Sequence, residues 1–174
     1  SDKEEVKKEI KKLKEDIKRA VDEHRKVNKR ILEEAEKSSR EHEKENRDIV
    51  RRVREEVEKR EVVRTLEERI RRSSDTSREL LRELKERLED STRKVEELLR
   101  RAEKVLDEAL KLIEAGEDIK EVVKELKKIL EKLKRELEDL SRKSEDVLRR
   151  LHELNKRLTD DSRRVLDEVR EDTK

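Results

Sequence analysis

The chain contains a single glycine, Gly116, and no proline among its 174 residues. Glycine and proline are the residues that most often end helices and shape turns. A sequence this poor in both is confined to long, uninterrupted elements. The glycine stands in Glu114-Ala115-Gly116-Glu117-Asp118. Just past a helix C-terminus, glycine enters the left-handed conformation without a Cβ penalty. Asp118 is then placed to cap a following helix, with Glu121 three residues on as the capping-box partner. Gly116 and Asp118 therefore mark a tight helix-to-helix reversal.

Apolar residues on both sides of that reversal recur at helical spacing. The last third runs from Ile119 through Val123, Leu126, Leu130, Leu133, Leu137, Leu140, Ser144, Val147, Leu151, Leu154, Leu158, Ser162, Val165 and Val169. These steps of four and three are the heptad rhythm of a packed helix. The middle third repeats it from Val63 through Leu66, Ile70, Ser73, Ser77, Leu84, Leu88, Ser91 and Val95 to Leu112. The first third does so from Val6 through Ile10, Ile17, His24, Asn28, Ile31, Ser38, His42, Asn46 and Ile49 to Val53. Doublets such as Leu98/Leu99 and Val122/Val123 widen the stripe. A helix that touches two neighbours needs that wider face, whereas a two-stranded coil needs only a narrow seam.

The expected fold is all-α: an elongated, antiparallel up-down-up three-helix bundle with heptad packing, in one domain over 1–174. Helix 1 is expected at about 2–57, helix 2 at about 61–115 and helix 3 at about 118–172. Helices of about 55 residues would each be about 80 Å long at 1.5 Å per residue. The first reversal is required near Glu58-Lys59-Arg60-Glu61, where continuing the heptad past Val57 would put Arg60 in the seam. Those residues are poor turn formers. The alternative is four helices of about 36 residues, because Ser38-x-x-Glu41 and Thr76-x-x-Glu79 both match a capping box. The heptad crosses both places without a phase break.

Reversals near 59–60 and 116–117 collect the seam's polar residues at two heights. One level holds His24, Asn28, Ser91, Thr92, Ser141 and Ser144. The other holds Ser38, His42, Asn46, Ser73, Ser77, Asn155, Thr159 and Ser162. A buried hydroxyl or amide without a partner costs about 1–3 kcal/mol, so grouping these residues across three helices supplies partners. A slipped register would bury them against leucine, which makes register specification their expected role. The plainer reading takes the same residues as helix-neutral filler near a wet surface. Buried as neutral groups, His24 and His42 would have lowered pKa values.

Composition excludes several function classes. With 59% charged residues against 29% hydrophobic, the chain is far from an ordinary globular composition. Disordered chains share the charge but lack the apolar periodicity. The 52 basic and 50 acidic side chains are interspersed, and no residue is aromatic, so the one-signed patch and stacking platform of a nucleic-acid binder are missing. A spectrin-like rod would have aromatic core residues. No run approaches a membrane span and no targeting signal is read, so a soluble protein is expected.

No catalytic, cofactor-binding or metal-binding residues are assigned. His24, His42 and His152 have no second histidine three or four residues on. His42-Glu43 and His152-Glu153 begin like a zinc-protease motif and lack its second histidine. No Cys or Gly-rich loop occurs. Serines facing a packed seam have no substrate pocket, so an enzyme is not expected. Neither is a cofactor, a small-molecule ligand, a nucleic acid or a membrane partner. A monomer is the expected state, with an additional helix or a homo-oligomer as the alternative.

The heptads, the Glu/Lys/Arg surface, the absence of Phe, Trp, Tyr, Cys, Met and Pro, the Ala115-Gly116-Glu117-Asp118 loop and the grouped Ser/Asn/His/Thr levels together resemble de novo designed helical bundles with buried hydrogen-bond networks. The likeness covers the whole chain as a style and not as a motif. It implies a scaffold, a designed oligomer or a switch component, produced by recombinant cytoplasmic expression, with no natural activity. The glycine-free first turn departs from the pattern.

Overall fold

Three α-helices, α1 (Asp2–Glu56), α2 (Arg60–Glu114) and α3 (Lys120–Asp172), make up the computed structural model, which describes residues 2–172. They contain 55, 55 and 53 residues. The three-helix expectation holds and the four-helix alternative does not. α1 continues through Ser38–Glu41 and α2 through Thr76–Glu79. Thr76 caps nothing: its Oγ1 donates to the Arg72 carbonyl one turn back, the back-bond a mid-helix threonine makes.

The second reversal matches its residues closely. Gly116 N donates to Ile113 O at 3.1 Å and Glu117 N to Leu112 O at 2.9 Å. That bond pair is the Schellman motif, with Gly116 at φ 71° as its left-handed residue. Asp118 Oδ1 then accepts from Lys120 N at 3.1 Å and caps α3. The first reversal is built without left-handed backbone. Only Val57-Glu58-Lys59 lie outside helix, and among the described residues no non-glycine has positive φ. A turn that stays in ordinary φ needs no glycine, which is why residues 58–61 advertise it so weakly. Its hold is apolar, since Val57 and Val63 pack on Ile49, Val53, Leu66 and Leu166.

Packing divides the chain into two compact units, Ser1–Arg30 with Arg87–Lys143 and Ile31–Glu86 with Ser144–Lys174. In the first unit α1 and α2 are antiparallel, with His24 against Ser91 and Asn28 against Leu88. Its core is continuous and apolar, from Ile10, Leu13, Ile17 and Val21 of α1 to Val95, Ala102, Ala109, Leu126, Ile129 and Leu133. In the second unit Glu36–Lys85, Glu43–Arg78 and Arg54–Glu67 run antiparallel. There Ser38–His152 and Glu56–Arg170 pair α1 in parallel with α3. Up-down-up order therefore holds in each unit. The ion pairs are solvent-exposed and screened, so each contributes little; burial of the apolar stripe supplies most of the stability.

The stripe departs from the expected seam late in α3. Asn155, Thr159 and Leu166 are buried there, while Leu154, Leu158 and Val165 are half-buried. An α-helix drifts about 20° per heptad against a strict 3.5-residue repeat, so the inward position moves on by one residue. Val169, also expected in the seam, has a side chain outside the described residues. No helix among the described residues is long and apolar enough to cross a membrane.

The Gly116 Cβ position is open, with no atom within 4 Å. A Gly116→Ala change therefore meets only the left-handed backbone penalty, and should lower stability by about 1–2 kcal/mol. Urea denaturation measures this; Lys59→Gly, in a turn without positive φ, should give no gain.

Candidate functional site

The strongest concentration of polar chemistry in the first unit joins all three helices. His24 of α1 is buried, at 2% exposure, with Nε2 2.8 Å from Ser91 Oγ of α2. Ser91 Oγ donates to Glu136 Oε1 of α3 at 2.9 Å. A hydroxyl has one proton, and here it goes to the carboxylate. The bond to His24 must then run from Nε2–H to Ser91 Oγ, which assigns the neutral ring's proton to Nε2. Beside it Asn28 Nδ2 donates to Leu88 O at 3.1 Å and to Thr92 Oγ1 at 2.9 Å, using both amide protons. Thr92 Oγ1 donates to Leu88 O at 2.8 Å.

Ser, His and Glu side by side invite comparison with a hydrolytic triad. That chemistry requires the serine to donate to the histidine, which donates onward to the acid. In this chain the polarity is reversed: His24 donates to Ser91, and Ser91 donates to Glu136. The carboxylate holds the serine proton directly, so His24 is not placed to remove it. Among the described residues no three His, Asp or Glu side chains could hold a metal ion together.

The second level lies in the other unit. Ser38 Oγ and His152 Nδ1 share a hydrogen bond at 3.0 Å, and His42 Nδ1 and Thr159 Oγ1 share one at 3.1 Å. Both join α1 to α3. Here the satisfaction of polar groups is incomplete. Asn46 Oδ1, Asn155 Nδ2, Ser144 Oγ, Ser162 Oγ and Ser39 Oγ are buried without a hydrogen-bond partner. Ser77 is buried and Ser73 half-buried, and neither makes a side-chain hydrogen bond across to α1 or α3.

The expected layers are thus corrected in three places. Ser141 and Ser144 do not partner Ser91. Ser141 is half-buried, and Ser144 packs in the second unit. Glu136 takes their place because its longer side chain reaches the Ser91 hydroxyl and a carboxylate makes the stronger, charge-assisted bond. Second, His152 joins Ser38 although it lies off the apolar seam and is exposed. The register implied by the two reversals does put Ser38 level with residue 152, so its partner was within reach of the sequence. For Glu136 no such signal exists, since nothing distinguishes it among the 50 acidic residues. Third, Asn46, Asn155 and Ser162 are buried as expected, but each keeps an unpartnered atom.

Comparison with protein families, with curated proteins and with solved structures finds no match.

Burial holds the pKa of His24 below its ordinary value near 6.5, and the facing Glu136 carboxylate opposes that shift only in part. The unfolded chain therefore takes up the proton first as pH falls. Stability is fully present above about pH 6.5 and is lost as pH drops through that value toward the folded pKa. Glu56, lowered by its bond to Arg170, loses its contribution as pH falls through the carboxylate value of 4.5, below the pH 5 of the comparison that follows. The urea midpoint should be lower at pH 5 than at pH 7.5, and His24→Gln should flatten the difference.

Two serine substitutions should move stability in opposite directions. Ser144→Ala removes a fully buried hydroxyl without a partner and should stabilise by about 1 kcal/mol. Ser91→Ala strands His24 Nε2 and the Glu136 carboxylate, and should cost about 1–3 kcal/mol. Denaturation of the two variants side by side checks the contrast.

Proposed function

We propose that this chain is a structural scaffold without biochemical activity of its own, built in the manner of de novo designed helical bundles, whose buried polar layers specify how its helices align. The observation that carries the reading is the hydrogen-bonded set at His24, Ser91 and Glu136, one residue from each helix at one height. Asn28 and Thr92 extend it between α1 and α2. A leucine in their place would contribute more burial free energy, because polar interiors gain little over apolar ones. Polar groups penalise misalignment instead. Shifting α2 by one turn would move Ser91 about 5.4 Å from His24 and leave the imidazole N–H facing aliphatic carbon.

The charged exterior fits the same reading. With 59% charged residues of nearly balanced sign, the surface favours solubility over attraction to polyanions or bilayers. The scaffold reading holds equally for one copy and for an assembly of copies.

The test removes the layer and asks whether alignment degrades while stability does not. His24→Leu, Asn28→Leu, Ser91→Ala, Thr92→Val and Glu136→Leu together clear the first level. The chain has no cysteine, so spin labels at Arg25→Cys and Lys94→Cys, both at exposed positions, report on α1 against α2. The expected result is an equal or higher denaturation midpoint with a distance distribution that broadens or splits by about one turn, roughly 5 Å. An unchanged single distribution would mean that the loops and apolar core align the helices without the polar layer.

A further inference from the structure

The first unit carries a groove between α1 and α2 whose two walls have opposite charge. Lys7, Lys11 and Lys14 form the α1 wall, and Glu103 and Asp107 form the α2 wall. Ile10, Leu106 and Ile113 lie along its floor, in a volume of about 450 Å³. Leu110 projects into it at 52% exposure, the one large apolar side chain exposed to that degree among the described residues. The antiparallel register set by His24–Ser91 and Asn28–Thr92 brings Lys11 level with Asp107 and Lys14 level with Glu103. No ion pair joins the two walls among the described residues, although each wall faces the other across the groove.

We propose that this groove is a self-complementary docking face, on which two copies of the chain pair about a two-fold axis parallel to α1 and α2. A symmetric dimer presents the same patch from both partners. Two such patches can meet face to face in two ways. An axis across the groove lays α1 on the partner's α1, setting lysine against lysine, which is repulsive. An axis along the groove lays α1 over the partner's α2. Each lysine wall then meets an acidic wall, twice over, and the two Leu110 side chains enter the dry centre between the floors. A separate helix would need one acidic and one basic flank at matching heights; a second copy supplies both.

The patch is short. Glu103 to Ile113 covers about 15 Å of helix at 1.5 Å per residue, so the pairing belongs with the small, salt-sensitive interfaces and is concentration-dependent in the micromolar range. It does not depend on the scaffold reading of the polar layers, because it is read from molecular mass and not from helix alignment.

Sedimentation equilibrium of the full chain from roughly 10 to 500 μM tests it. The mass should rise from 21.1 kDa toward twice that value, and the association should weaken about tenfold or more between low and high salt. Two exposed-wall variants make the test specific to the groove. Lys7→Glu with Lys11→Glu and Lys14→Glu makes both walls acidic; Glu103→Lys with Asp107→Lys makes both basic. Each variant alone should stay monomeric, with helical circular dichroism unchanged, and an equimolar mixture should regain the dimer mass. The proposal is overturned by an unmodified chain that stays at 21.1 kDa throughout, leaving the groove to a separate helix or to solvent. It is equally overturned by variants that dimerise on their own or by a mixture that does not.

Discussion

Coverage of an apolar stripe some 55 residues long is the constraint on which everything else in this molecule depends. An isolated helix of this composition gains only tenths of a kcal/mol from each surface ion pair, and helical stability in proteins comes mainly from burying the amphipathic face. With 29% apolar residues there is little to spare. The widened stripes at Leu98/Leu99 and Val122/Val123 are met by contact with two neighbours, which a three-helix arrangement provides. The turns follow from the same demand. Gly116 ends α2 with a Schellman motif, while Val57 and Val63 hold the other reversal by joining the apolar cluster beneath it.

Against that background the two polar levels stand in different states. The His24–Ser91–Glu136 set leaves no proton misdirected, and Asn28 spends both amide protons. It sits in a unit whose core is otherwise continuous aliphatic packing. Among the described residues, the second unit carries more polar seam positions and five buried atoms without partners. Each such atom costs about 1–3 kcal/mol, so free energy is distributed unevenly between the two units. Where bundles of this kind open first, this inequality points to the unit holding Asn46, Asn155 and Ser162.

Much of this was legible from residue spacing. The 3.6-residue recurrence of apolar side chains is a local property of the chain, and so is glycine's tolerance of positive φ; together they placed three helices to within a residue or two at each end. The folding-back of the chain at 57–59 was legible only indirectly, from the phase of the seam, because a turn in ordinary φ requires no special residue. The grouping of His24, Asn28, Ser91 and Thr92, and of Ser38, His42 and Thr159, could be read by reflecting the sequence about its reversals. That works because helix rise is constant at about 1.5 Å per residue.

What the sequence determined by itself is the set of properties that repeat along a helix: length, inward face, turn position and the height of each polar residue. What only the tertiary structure decided is which atom meets which. Ser91 chose Glu136 over Ser141 and Ser144, His152 reached Ser38 from off the seam, and the drift of a 3.6-residue helix turned Asn155 and Thr159 inward. These outcomes depend on side-chain reach, helix rotation and competition between acceptors, none of which is periodic. Two residues at the same height can be a bonded pair or strangers, and only the angle about the helix axis separates the two cases.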